Sequence, residues 1–288
     1  MNYTALIENR KSVRQFRDKA VPAIAVTEIQ EFYAKECHRL VPEIATELVV
    51  LGTEAREALE GTAGYQEFLV GAPRYLVLLS EEHKNAGENA GYMMEDMILK
   101  LTDMGYDSCW LTFTDADKVT AALKLDSKMK VAAIAAFGYG EKTAKKLRLN
   151  ILSMSRVDVE AQRGYYSHKK DINELVFVNE YGCSDGLNDL MGFYEDMLWQ
   201  AFYSVAQTPS YLNRQPYAFV VKDKNLILVK LADDYTDEAS AALNLGIAML
   251  HFDTVASQWV GQVKWDLKPT SVKLPLPAGA SVAAVCHM

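Results

Sequence analysis

The sequence predicts a soluble protein of mixed α and β content, built as two related halves of one chain. Three observations lead there. Half of the 288 residues are hydrophobic and a quarter are charged, the balance of a globular protein with a real core. Two continuous apolar runs rich in β-forming residues, Arg74–Ser80 (RYLVLLS) and Leu226–Leu231 (LILVKL), are each followed by a long helical pattern. The order also recurs: the first helix carries Gly91, the second carries Gly246, and VAAIAAFGYG at 131–140 has a counterpart in SVAAVCHM at 281–288. The recurrence distance, about 150 residues, is too long for a solenoid repeat.

The elements follow in order. Residues 2–9 read as a short helix leading into a basic stretch. Val21-Pro22-Ala23 forms a turn that opens a helix over 24–33, with Ile24, Ile29 and Phe32 assigned to one side. A strand is expected over 45–51, a short helix over 55–59, and a flexible loop at Gly61-Thr62-Ala63-Gly64. After the strand Arg74–Ser80, a helix runs from Ala86 to Met104, where Gly105 stops it. Its stripe Met93, Met97, Leu101 and Met104 reads as core packing. Ser108–Phe113 is a buried strand, Asp115 caps a helix reaching Leu123, and Val131–Gly140 is a strand ending in glycines. Glu141–Arg163 is polar and basic and takes no clear element. In the second half a helix is expected over 187–204, with Leu190, Tyr194, Leu198, Ala201 and Phe202 near one face. A strand pair follows at 218–221 and 226–231, joined by a turn at 222–225, then a helix over 239–259 and a last strand over 281–286.

Composition narrows the function classes. A formal net charge of -8 and a pI near 5.3 argue against nucleic acid as a partner. No apolar run approaches the roughly 20 residues that span a bilayer, and Met1–Arg14 lacks the apolar core of a signal peptide. A cytoplasmic protein with no membrane partner is expected. Cys37, Cys109, Cys183 and Cys286 are scattered, and the five histidines form no metal-ligand spacing, so neither a disulfide framework nor a zinc site is expected.

Two stretches carry chemistry. Arg10, Lys11, Arg14, Arg17 and Lys19 crowd into residues 10–19 of an acidic chain, with Ser12 among them. A local positive island points to a fixed anion such as a phosphate, which arginine forks and a serine hydroxyl both suit. The ordinary alternative is a solvated basic face. In Thr208-Pro209-Ser210-Tyr211-Leu212-Asn213-Arg214-Gln215-Pro216-Tyr217, two prolines bracket a polar loop and fix its backbone locally. Ser210, Asn213 and Gln215 become positioned hydrogen-bonding groups, with Tyr211 and Tyr217 as flat apolar surfaces. That suits an aromatic ligand with polar edges, or else an ordinary structured turn.

The loop resembles the [AT]-P-S-x-x-N-x-Q-P-[WY]-x-F signature of the nitroreductase family of flavin mononucleotide (FMN) enzymes, and Arg10–Phe16 (RKSVRQF) is similar to that family's R-[RK]-S-x-R-x-F signature. Gly91-Tyr92 with the segment Met104–Trp110 resembles its central helix and the Gly-x-x-Ser-x-Trp that follows. Phe137–Gly140 resembles its terminal strand, and Lys169-Lys170 its basic pair. The resemblance covers most of the chain, except about residues 20–60 and 141–165. It implies an α+β, nitroreductase-like fold with mixed β-sheets flanked by helices. Each signature occurs in only one half. The resemblance therefore implies an internal pseudo-dimer, with a first half over 1–178 and a second over 179–288, acting as a monomer with one flavin site kept and one abandoned.

The resemblance also implies roles. Arg10, Ser12, Lys169 and Lys170 are expected at the phosphate, with Lys11 there or facing solvent. Arg14 is expected near the pyrimidine edge of the ring, where it would stabilise charge on the reduced flavin. Pro209, Ser210, Tyr211 and Asn213 line the ring and ribityl chain, and the backbone of Leu111, Thr112 and Phe113 meets the N5 and O4 edge. Tyr65, Phe68, Phe113 and Tyr211 are candidate acceptor-pocket aromatics, though core packing explains each as well, and Cys109 reads as buried rather than reactive. The implied activity is hydride transfer from NAD(P)H through the flavin to a nitroaromatic, quinone or related conjugated acceptor. The alternative is a protein that stores or senses flavin without turnover; a scaffold with both sites dead fits the retained motifs poorly. No dinucleotide fingerprint distinguishes NADH from NADPH.

Overall fold

The computed structural model describes residues 1–288 apart from 65–68, 142–145, 154–155, 163–168, 188–194, 262, 268–271 and 288; for 146–153, 156–162, 195–197 and 260 only the backbone is described. The fold is α+β. The first sheet takes β1 (Thr46–Leu51), β2 (Ala63–Gly64), β3 (Arg74–Ser80), β4 (Asp107–Phe113) and β5 (Lys130–Gly138) in the order β1-β3-β5-β4-β2, antiparallel throughout. The second takes β8 (Val176–Val178), β9 (Tyr217–Lys222), β10 (Asn225–Lys230), β11 (Trp265–Asp266) and β12 (Ser281–His287) in the order β11-β12-β10-β9-β8. Read from β9, the sequence β9-β10-β12-β11 repeats β1-β3-β5-β4. The addition is β8, which precedes β9 by a long stretch of chain and pairs with it in parallel.

Helices fill the space around the sheets: α1 (Tyr3–Asn9), α2 (Ala23–Lys35), α3 (Ala55–Leu59), α4 (Ala86–Asp103), α5 (Ala116–Ala122), α6 (Ile172–Leu175), α7 (Glu195–Ala206) and α8 (Glu238–Val260). Helices α4 and α8 form the centre of the molecule. They approach closely because each lacks a side chain where the other's backbone passes. A Cβ on Gly91 would run into the Leu243 carbonyl, and one on Gly246 into the Glu88 carbonyl. The contact is reciprocal, since Glu88 precedes Gly91 by as many residues as Leu243 precedes Gly246. By length and composition Glu238–Trp259 could cross a membrane, against the expectation that no run is long enough, but 78% of its apolar window is buried inside the protein. That is the position of a core helix packed on α4 and α7.

Most expected elements form, with informative differences. Ile24 is 75% exposed, and α2 instead buries Ala25, Ile29 and Phe32. Positions 24 and 29 differ by five, more than one helical turn, so they do not share a face. The loop expected at Gly61–Gly64 includes β2, whose Ala63 and Gly64 pair with Phe113 and Thr112. The polar stretch 141–163 contains a hairpin of β6 (Lys146–Ser153) and β7 (Arg156–Gln162) that forms its own two-stranded sheet. The turn between β9 and β10 places Asp223 and Lys224 at φ of 49° and 62°, as a tight two-residue hairpin requires. Of the helix expected over 187–204, Glu195–Ala206 is described; Leu190 and Tyr194 lie outside the described residues, while Ala201 and Phe202 are buried as expected. All four cysteines are free, and no metal-holding cluster occurs among the described residues.

Candidate functional site

The basic stretch leaves α1 as extended chain along the first sheet. Val13 N–H donates to the Ser108 carbonyl at 2.8 Å, Ser12 bridges to Ser108 in parallel, and Phe16 bridges to Gly140. This fixes Ser12 and Arg14 beside the first residues of β4. From the other end of the chain, α7 delivers the loop Thr208–Pro216. Its backbone is contorted, with Leu212, Asn213 and Gln215 all in the left-handed region at φ of 48°, 58° and 46°. Such conformations cost energy for residues other than glycine and persist where the surroundings enforce them. Here the enforcement is visible. Ser210 Oγ accepts from Gln215 N–H at 2.9 Å, Asn244 Oδ1 on α8 accepts from Tyr211 N–H at 3.1 Å, and Gln215 Nε2 donates to the Ala206 carbonyl at 3.0 Å.

Between these stretches lies a cavity of about 500 Å³. Ser12, Arg14, Leu111, Thr112 and Phe113 line it from the first sheet's side, and Pro209, Ser210 and Tyr211 from the second's. Eight of the thirteen residues expected at a cofactor thus face one space. Cys109 also lines it, and burial pushes its thiol up, with Arg14 and Arg10 opposing. The residue is 2% exposed, the position of a packed thiol. Of the expected acceptor-pocket aromatics, Phe113 and Tyr211 line the cavity, and Tyr65 and Phe68 lie outside the described residues.

The other five expected residues lie around the cavity instead of lining it. Lys11 is exposed. Arg10 is nearly buried, its Nε 3.4 Å from Glu95 Oε1, close enough for an ion pair but not aligned for a hydrogen bond; its Nη1 reaches Ser12 Oγ at 3.4 Å. Lys169 Nζ donates to Asn213 Oδ1 at 2.6 Å and to the Thr208 carbonyl at 2.8 Å. Lys170 holds Gln215 twice, from its backbone N–H to Oε1 at 2.9 Å and from Nζ to the carbonyl at 2.8 Å. Burial pushes Lys169 down to about 8; the Arg10 charge adds to this and Glu95 opposes it. Two buried cations that repel one another, beside a serine hydroxyl, form a site that an anion would relax.

Sequence reasoning missed the group that organises these cations. Glu95 is fully buried on α4; its Oε2 accepts from Trp110 Nε1 at 2.7 Å and its Oε1 lies 3.1 Å from His251 Nε2 on α8. The other ring nitrogen of His251 meets the Ser204 carbonyl at 2.9 Å, which makes Nδ1 the donor. Burial pushes the Glu95 carboxyl up, but Arg10, His251 and Trp110 together hold it below the usual range. The signal was present, as Glu95 stands in the apolar run Met93–Leu99 and His251 in Ala248–Phe252. A polar residue inside such a run needs a buried partner.

The residues present fit a flavin mononucleotide. The cavity's volume lies within the range of small-molecule sites, its walls mix aromatic, backbone and hydroxyl groups, and cations adjoin one end. Asn244 lines it with a buried Nδ2 that has no hydrogen-bond partner, a donor left for a ligand's acceptor.

A family profile described as "Putative TM nitroreductase" (TM1586) matches residues 2–256. The crystal structure of a "putative nitroreductase (tm1586)" from Thermotoga maritima MSB8 superposes with a TM-score of 0.59 at 17% identity, covering 99% of this chain and 93% of that one. A nitroreductase with bound FMN from Bacteroides fragilis NCTC 9343 is 22% identical with a TM-score of 0.42, covering 56% of this chain and 100% of that one. An FMN-dependent nitroreductase from Clostridium difficile R20291 is 19% identical with a TM-score of 0.42, covering 48% of this chain and 88% of that one. No curated protein matches the sequence.

Proposed function

The chain belongs to the TM1586 nitroreductase family, and from that premise we propose that it is an FMN-dependent oxidoreductase which takes hydride from NAD(P)H and passes it to a nitroaromatic, quinone or related conjugated acceptor. The observation that carries the reading is convergence. The two stretches singled out by residue chemistry, Arg10–Phe16 and Thr208–Pro216, lie nearly two hundred residues apart in sequence and line one cavity. We read the repeated strand order and the reciprocal glycine contact as an internal pseudo-dimer, in which one flavin site is kept, with walls from both halves, and the other is abandoned.

When bound, FMN supplies hydride transfer at its N5. The rest is the work of this chain's residues. Arg10, Ser12 and Lys169 bind the phosphate, with Lys170 holding the loop through Gln215 and Lys11 at the solvent edge. Arg14 sets positive charge at the pyrimidine edge and favours the reduced, more anionic ring. The backbone of Leu111–Phe113 presents hydrogen-bonding groups to the opposite edge. Pro209, Ser210, Tyr211 and Asn213 position the ring and ribityl chain, and Asn244 Nδ2 donates to an acceptor on the ligand. Catalysis requires no acid–base dyad; orientation and stacking within about 3.5 Å bring donor and acceptor to the reacting position.

The test is the visible absorption spectrum of the purified protein, followed by anaerobic reduction with NADH and NADPH and reoxidation by a quinone and a nitroaromatic. Absence of flavin, with no uptake of added FMN, sinks the proposal. Flavin retained without reduction by either donor favours storage.

A further inference from the structure

A second and larger cavity, about 1340 Å³, opens on the other side of the α4–α8 pair. It occupies the counterpart position of the first. The spacing that separates Gly91 from Gly246 also separates Asn89 from Asn244, Tyr92 from Ile247 and Trp110 from Trp265. Asn89 Oδ1 accepts from Val41 N–H at 2.9 Å, just as Asn244 accepts from Tyr211 N–H. The segment His38–Glu43 therefore stands where Thr208–Asn213 stands at the first cavity.

The buried carboxylates at the two cavities differ in their partners. At the first, the buried carboxylate under the tryptophan is Glu95, which has Arg10 and His251 beside it. At the second it is Asp253, 6% exposed, which accepts from Trp265 Nε1 at 2.7 Å and from Tyr92 OH at 2.8 Å. Both donors are neutral, and no ion pair to Asp253 occurs among the described residues. Nearby cations are committed or peripheral. His38 is bound to Asp96 and acts on Asp253 only through space, Arg39 donates to Thr46 and lies over the Tyr33 ring, and Lys84, Lys264 and the N-terminal Met1 are exposed. In the loop, Glu43 takes the place of Asn213.

We propose that this second cavity binds an aromatic or heteroaromatic compound carrying a cationic nitrogen, its ring against Tyr92 and Trp265 and its charge directed at Asp253. A buried carboxylate held only by neutral donors gains most from a cation, and the electron-rich faces of tyrosine and tryptophan favour one as well.

The test uses matched pairs that differ in charge but little in shape: benzamidine against benzamide, and phenethylamine against 2-phenylethanol. Binding is measured by calorimetry on the full chain at pH 8. We expect at least one cation to bind with one-to-one stoichiometry and its neutral partner at least ten-fold more weakly. Asp253→Asn should remove that preference. Leu40→Trp, a bulkier side chain at another residue of the cavity wall, should weaken binding at least ten-fold and serves if the first variant fails to fold. Equal binding within each pair, no binding by either cation, or indifference to both variants overturns the proposal, as does displacement of flavin by the cation. Flavin content is read separately on each sample. A protein without flavin refutes the oxidoreductase reading and leaves this test intact.

Discussion

Glu95 and Asp253 occupy matching environments and answer burial in opposite ways. Each is a carboxylate on a central helix, and each accepts a tryptophan indole at 2.7 Å. Glu95 has a guanidinium and an imidazole in contact, and its pKa falls below the usual range. Asp253 has only hydroxyl and indole donors, and burial pushes it up to about 7. The difference teaches that burial alone does not set a carboxylate's charge; the presence of a cation decides it. It also separates the two cavities. Near the first, a buried carboxylate stands in contact with cations, whereas at the second the buried acid is hydrogen-bonded by neutral donors alone.

The strongest way to break the comparison is Glu95→Ala. It strands Arg10 and His251, and a buried pair broken on one side costs about 3–5 kcal/mol. Urea denaturation should show that loss, and a change under 1 kcal/mol would mean the network contributes little. Next comes the paired test of the first cavity. Arg10→Ala and Asn213→Ala should each weaken FMN binding, the former about 100-fold if a charge-assisted contact worth about 2–3 kcal/mol is lost. Titration by flavin fluorescence reads this, and retention by either variant defeats a site shared between distant stretches.

The pH dependence of stability sharpens the contrast. Asp253 has a folded pKa above the ordinary carboxyl value near 3.9. The native state therefore holds more protons between about pH 4 and pH 7, and stability falls as pH rises through that window. Asp253→Asn should flatten this fall, by up to about 4 kcal/mol for a shift of three units; an unchanged slope in denaturant midpoints removes the claim. Lys169 works in the opposite direction. Its folded value near 8 lies below the ordinary lysine value near 10.4, so stability contributed by this group rises between about pH 8 and pH 10. FMN affinity should decline over the same window, because phosphate binding favours the protonated amine. A flat affinity from pH 7 to 10 would place Lys169 away from the phosphate. The helix crossing gives the last test. Gly91→Ala and Gly246→Ala should each cost about 1–3 kcal/mol, with similar losses if the crossing is reciprocal.

Much of this was legible in residues. The apolar runs at 74–80 and 226–231 gave their strands within a residue, because a long β-rich run leaves few alternatives. The basic stretch and the proline-bracketed loop marked two walls of a cavity. What stayed hidden needed tertiary contacts. Two-residue strands such as β2 and β11 carry no periodicity to read. The commitment of Arg10 to Glu95 depends on how α1 enters the fold, and Lys169 finds Asn213 only once the loop turns left-handed. The second cavity has no motif at all; its lining becomes visible only after the first has been located and the spacing of the central helices applied.

The glycine crossing has one more consequence. In a symmetric pair of identical chains, a substitution at such a crossing appears on both sides at once, and both sites must tolerate it together. Here the two sides are written at different positions, Gly91 with Leu243 and Gly246 with Glu88. Selection can act on one side alone. A chain of this kind can hold one of its two faces unchanged while the other drifts.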